Sequence, residues 1–125
     1  MFDLFLPKVN LLYLGLSVLI LLDLSYLSRF WTQFEAWLSM QEITANGIRG
    51  VQNGTAGRCK ITCLHNASES LKSTLIDMWS SKTPEEAHST LSRPDVTVTN
   101  QKDKDLMLPT VLSINELSSE LRLSA

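Results

Sequence analysis

The longest apolar run of the chain, VNLLYLGLSVLILL from Val9 to Leu22, is broken by Asn10, Gly15 and Ser17 and stops at Asp23. Its 14 residues fall short of the roughly 20 that a membrane-spanning helix needs, and extension to Leu27 puts the Asp23 charge at membrane depth. The preceding MFDLFLPK carries both signs of charge, and no small-x-small cleavage site follows Leu22, so a secretory signal fits poorly. The run divides better near Gly15. Val18-Leu19-Ile20-Leu21-Leu22 is a short continuous apolar block, the pattern of a parallel strand covered on both faces. Residues 1–17 then form a separate apolar segment, a helix or a turn.

Beyond Asp23 the period changes. Phe30, Phe34, Trp37 and Leu38 recur at i, i+4, i+7 and i+8, which predicts a helix with one apolar stripe, capped by Ser25 or Ser28. Asn46 to Gly57 holds four of the five glycines and reads as a loop. In RCKITCLH, Cys59, Ile61, Cys63 and His65 alternate with Lys60, Thr62 and Leu64, predicting a second strand. Asn66, with Glu69 three residues on, opens the apolar series Leu71, Leu75, Ile76, Met78 and Trp79 in the manner of a capping box. Thr83-Pro84-Glu85-Glu86 is a cleaner helix start, with a cap, a proline at the first position and a glutamate at the third. That helix ends near Ser92. Asp95 to Asn100 predicts a third strand, and an amphipathic stretch from about Asp103 to Leu123 is interrupted at Pro109.

Strands alternating with helices predict an α/β fold, a parallel sheet of about three strands with helices on both faces. The 125 residues suit one domain. Eleven basic against thirteen acidic residues give a net charge of -2, which argues against a nucleic-acid partner. Two cysteines cannot build a disulfide framework, and Cys59, Cys63 and His65 lack a further ligand for a metal. Reduced thiols in a cytoplasmic protein are the expectation. The triplets at Asn53 and Asn66 match the N-glycosylation pattern but suit a loop and a helix cap equally well.

The segment VLILLDLSYLSRFWTQFEAW, with Ser25 and Tyr26 in a turn, Ser28-Arg29-Phe30-Trp31 and then Glu35, resembles the third strand and following helix of Toll/interleukin-receptor (TIR) domains. RCKITCLH and DVTVTN would look like the fourth and fifth strands of that family. The resemblance spans roughly residues 18–123, with its specific part between Leu19 and Trp37, and Phe30 is inserted between the Arg and Trp of the plant-type motif. Only about 17 residues precede the first strand, so the resemblance is to the C-terminal half of a partial, flavodoxin-like TIR domain. It implies a signalling or assembly module that self-associates or pairs with another TIR-like chain. It also implies NAD as a substrate, with no bound cofactor and no metal, where a missing N-terminal half completes the site.

By the same resemblance Glu35 is the catalytic candidate, because a carboxylate stabilises the oxocarbenium-like transition state of nicotinamide–ribose cleavage. Asp23, Ser25, Tyr26 and Trp31 are the substrate-binding candidates. Each has a plainer alternative. Glu35 suits the polar side of an amphipathic helix, and Trp31 and Tyr26 suit a core. Asp23, at the carboxyl end of its strand where open α/β sheets bind ligands, equally suits a helix cap. The rival from another class is a single-pass membrane or secreted glycoprotein anchored by residues 9–27.

Overall fold

The computed structural model describes residues 11–14, 17–23, 26–45, 47–50, 59–64 and 67–117. Leu11–Leu14 makes a 3-10 turn, and Val18–Leu22 forms strand β1. After a second 3-10 turn, Tyr26–Ser28, helix α1 runs through Phe30–Ser39. A hairpin follows, β2 at Gln41–Thr44 and β3 at Gly47–Gly50. Strand β4, Cys59–Cys63, precedes three helices: α2 at Glu69–Trp79, α3 at Pro84–Leu91 and α4 at Gln101–Leu112. The fold is therefore α/β, with one parallel strand pair, one antiparallel pair and packed helices among the described residues. No helix among the described residues is long and apolar enough to cross a membrane. Within the stretch 9–27, the described backbone is a 3-10 turn, a strand and another 3-10 turn rather than one continuous helix.

β1 and β4 pair in parallel, Val18 opposite Cys59 through Leu22 opposite Cys63. The expected third strand is absent. Asp95 to Asn100 touches the rest of the backbone ladder only at one parallel bridge, Arg29 to Thr97. The bridge consists of the Phe30 amide donating to Thr97 O and the Thr97 amide donating to Ser28 O, both at 2.7 Å. The Val96 carbonyl is taken by Lys104 Nζ at 2.7 Å. The Phe30 bond is the one that bears on the start of α1. The helix begins after Arg29, the cap residue, with no side-chain cap, so Ser28 does not hold the expected cap position.

β1 is covered on one face, not two. Ile20 and Leu22 are buried with Cys59 and Ile61 from β4, whereas Leu19 and Leu21 are 63% and 51% exposed. The covering layer is α1. Phe30, Phe34, Trp37 and Leu38 are all buried, as the stripe requires, together with Ala36 and Met40. Aromatic rings line this layer in sequence, Phe30 to Phe34 at 6.0 Å and Phe34 to Trp37 at 6.5 Å. The core continues through Leu75 and Trp79 of α2, Ala87 and Leu91 of α3, and Met107 and Val111 of α4.

The segment read as a glycine-rich loop starts as a hairpin. Thr44 pairs with Gly47 across a two-residue turn, and Glu42 faces Arg49, with which it forms an ion pair. Gly47 has φ +105°, a conformation that side chains resist, and it accepts a 2.6 Å hydrogen bond from Thr44 Oγ1. Gly50 has a different reason to be glycine. A Cβ there would lie 2.0 Å from the Ser80 carbonyl oxygen, because β3 presses against the end of α2. Gly50→Ala should therefore destabilise the fold by about 1–3 kcal/mol, the usual cost of overpacking. Urea denaturation of the two chains measures it; an unchanged midpoint would show that β3 can move away from α2.

Helix starts α3 and α4 follow local chemistry. Thr83 Oγ1 accepts from the Glu86 amide at 3.2 Å while the Glu86 carboxylate accepts from the Thr83 amide at 3.0 Å, the expected capping box with Pro84 next to the cap. Asn100 caps α4 through Lys102. α2 is capped by Ser68, which accepts from Leu71, so the expected Asn66 cap is displaced by two residues; Asn66 itself lies outside the described residues. Pro109 does not end α4. It lies on the exposed side, where the Asp105 carbonyl left without its amide donor is accessible to water.

Candidate functional site

α1 follows β1 after the short turn at Tyr26–Ser28, and this strand–turn–helix unit brings Glu35 back beside β1. Two surface clefts adjoin it. The first has a volume of about 230 Å³ and is lined by β1 residues 18–21, Tyr13, Tyr26, and the α1 residues Thr32, Glu35, Ala36 and Ser39. The second, about 410 Å³, is lined by Arg29, Trp31 and Thr32 with Thr97, Val98 and Thr99.

Glu35 is half-buried and hydrogen-bonds to the Tyr13 hydroxyl. Burial raises its carboxyl above the usual glutamate range, and the Tyr13 bond offsets part of that rise. Tyr26 is shifted upward more strongly, first by burial and then by the Glu35 charge. Tyr13 is raised in the same way, by burial and then by Glu35. A carboxyl and two phenols thus share one small cleft, in which the Glu35 charge disfavours ionisation of both phenols while the Tyr13 hydroxyl supports the carboxylate.

The sign of the Glu35 shift fixes a stability trend. The folded chain holds the Glu35 proton to higher pH than the unfolded chain does. Its contribution to stability is full below the ordinary glutamate pKa and is lost as pH rises through the raised native value. Glu35→Gln has no such loss. Melting temperatures taken from about pH 4 to about pH 8 should therefore diverge in favour of the Gln variant. Parallel curves would show that the carboxyl titrates alike in both states.

The sequence candidates divide between the two clefts. Glu35 and Tyr26 come together in the smaller one. Trp31 lines the larger one and packs its ring edge-on to Phe30 at 5.4 Å, half-buried against the core. Asp23 does follow the carboxyl end of β1, but it lines neither cleft; its carbonyl accepts the Tyr26 amide at 3.1 Å. Ser25 lies outside the described residues. Tyr13, the direct partner of Glu35, was not singled out by sequence: it stands 22 positions away in an apolar run, with no local pattern to connect the two.

Neither cysteine forms a disulfide: Cys59 is buried in the core, and Cys63 has its Sγ 3.4 Å from the Ser68 carbonyl oxygen. Among the described residues no group of three or more His, Cys, Asp or Glu side chains is placed to hold a metal ion. His65 lies outside them. No family model, no curated protein and no solved structure matches the chain.

Proposed function

We propose that this chain is a TIR-like assembly module that self-associates through β1, and that β1, α1 and β4 correspond to the third strand, the following helix and the fourth strand of that family. One observation carries the assembly role: the outer face of β1 is apolar and open, with Leu19 63% and Leu21 51% exposed. The edge of the strand supports the same reading. Leu22 O accepts the Leu64 amide at 2.7 Å, so the peptide groups of Val18, Ile20 and Leu22 point toward β4. Those of Leu19 and Leu21 point the other way, to the edge that has no sheet partner among the described residues. Exposed edges are usually guarded by lysine, proline or inward charge, and VLILL contains none of these.

A second copy of the chain suits this edge. β1 is short and apolar, and an antiparallel pairing of two copies about Ile20 places each Leu19 near the partner's Leu21 in a closed two-fold interface. Catalysis is the less favoured role for Glu35. The cleft of about 230 Å³ is below the roughly 300–1,000 Å³ of ordinary ligand pockets, and a dinucleotide would not fit within it. Trp31, the proposed ring-stacking partner, lines the other cleft.

The test is the mass in solution. The native chain should sediment as a dimer, and the double variant Leu19→Lys, Leu21→Lys should shift to monomer with at least about a tenfold weaker dissociation constant, some 1.4 kcal/mol. Leu112→Lys, which changes the similarly exposed leucine of α4, is the control and should leave the dimer intact. A native chain that is monomeric at all concentrations, or a double variant that dimerises as well as the native chain, overturns the proposal.

A further inference from the structure

Three hydroxyls of the smaller cleft, those of Thr32, Ser39 and Tyr13, have their protons committed within the protein. Thr32 Oγ1 donates to the Tyr26 carbonyl at 2.8 Å, and Ser39 Oγ donates to the Glu35 carbonyl at 2.7 Å. The Tyr13 hydroxyl is engaged with the Glu35 carboxyl. What these side chains turn toward the cleft is acceptor capacity, from the carboxylate and from hydroxyl oxygens. No basic side chain among the described residues lines the cleft, and Glu35 takes part in none of the ion pairs found there. The remaining walls are apolar, from Val18, Ile20 and Ala36, with two tyrosine rings at hand.

A half-buried carboxylate with no cation beside it among the described residues, next to hydroxyl oxygens and two tyrosines, matches one chemical class. We propose that this cleft is a binding site for a primary alkylammonium group. The –NH₃⁺ head brings three donors and a positive charge, and it would bond the Glu35 carboxylate and the Thr32 hydroxyl oxygen. The phenol rings of Tyr13 and Tyr26 add an electrostatic attraction for a cation near their faces. The alkyl stem lies against Val18, Ile20 and Ala36. A volume of about 230 Å³ takes a group of this size rather than a drug-sized ligand. The Glu35 charge disfavours anions, and a neutral guest brings no charge to balance the carboxylate beyond its Tyr13 hydrogen bond. The cleft lies within a single chain, but its β1 wall, residues 18–21, is the strand edge proposed for self-association, so the titration is run at concentrations at which the chain is monomeric.

A free amine and a lysine side chain on a partner's extended segment present the same head and stem, and the measurement separates them. The folded 125-residue chain is titrated by calorimetry with n-butylammonium chloride near pH 6, in two buffers of different ionisation enthalpy, with tetramethylammonium and n-butanol as comparisons. Binding of n-butylammonium should be at least tenfold tighter than that of either comparison. It should release protons, because the cation draws Glu35 into its ionised form. Glu35→Gln, checked for folding by circular dichroism, should weaken it at least tenfold and abolish the proton release. Tyr13→Phe, which keeps the ring, should weaken it less. In the second arm an acetylated hexapeptide with one central lysine between valines and threonines is compared with its norleucine counterpart. Lysine-dependent binding at least tenfold tighter than butylammonium assigns the site to a partner's lysine, and equal affinity assigns it to a free amine. Butylammonium binding no tighter than butanol, or affinity unchanged in Glu35→Gln, overturns the proposal.

Discussion

Trp37→Ala is expected to cost about 3–5 kcal/mol, the usual range for deleting a large buried aromatic. Trp37 has no exposed surface, stacks on Phe34 at 6.5 Å, and donates from its indole nitrogen to the Lys82 carbonyl at 2.9 Å. Alanine removes the ring, opens a cavity between α1 and the start of α3, and leaves the Lys82 carbonyl without that donor. Single domains of this size are stable by only about 5–15 kcal/mol, so the variant should be largely unfolded at physiological temperature. Glu42→Ala is the natural comparison. Its carboxylate pairs with Arg49 on the exposed side of the hairpin, and such surface pairs contribute about 0–1 kcal/mol. Denaturation midpoints in urea read both, and equal losses would refute the assigned face of α1.

Lys104→Met should be the next most damaging change, at about 3 kcal/mol. The lysine is only 4% exposed, and its ammonium donates to Arg93 O at 2.8 Å and Val96 O at 2.7 Å. Hydrogen bonds to a charged group contribute roughly 1.5–3 kcal/mol each, against the cost of taking the ammonium out of water. That cost shows in the lysine itself, whose pKa burial lowers below the ordinary value while Asp95 and Asp105 partly restore it. Methionine keeps the length and the apolar stem but no donor. The segment after α3 then loses its anchor to α4, and with it the position of Thr97, which supplies the first hydrogen bond of α1. Hydrogen exchange should therefore quicken at the Thr97 and Phe30 amides as well as near position 104. A variant as stable as the native chain would show that burying the ammonium cancels its two bonds.

Where a sequence signal is local, the structure follows it. The stripe of Phe30, Phe34, Trp37 and Leu38 is buried as spaced, the alternation in Cys59–Cys63 is a strand, and Thr83 to Glu86 forms its reciprocal cap. The hairpin was legible in principle. Asn46-Gly47 signals a turn, although Gly47 itself opens β3 opposite Thr44, and four glycines in one window masked the pairing. The coverage of β1 was not legible, because VLILL is apolar on both faces and period-2 burial leaves no mark on an unbroken run. Nor was the fate of residues 95–100. Their alternation is real, with Val96 buried and Val98 half-buried, yet pairing stops at the single Arg29–Thr97 bridge, where α1 begins, and the Lys104 ammonium takes the Val96 carbonyl. The contact of Tyr13 with Glu35 is tertiary from the outset, since only the packing of the 3-10 turn on α1 brings them together.

The parallel pair has a kinetic consequence. Val18 and Cys59 are 41 positions apart, and closing a loop of that length costs about 3 kcal/mol of chain entropy before any strand contact repays it. The hairpin at 41–50 and the helices carry no such delay, because their partners are near neighbours in sequence. Loop closure thus sets the order in which the molecule assembles: α1 and the hairpin form within the loop and shorten its effective span, and β1 meets β4 late. Until it does, all five residues of VLILL are open to other chains. The rate of folding, and the yield at high concentration, should depend on how quickly that long-range pairing is made.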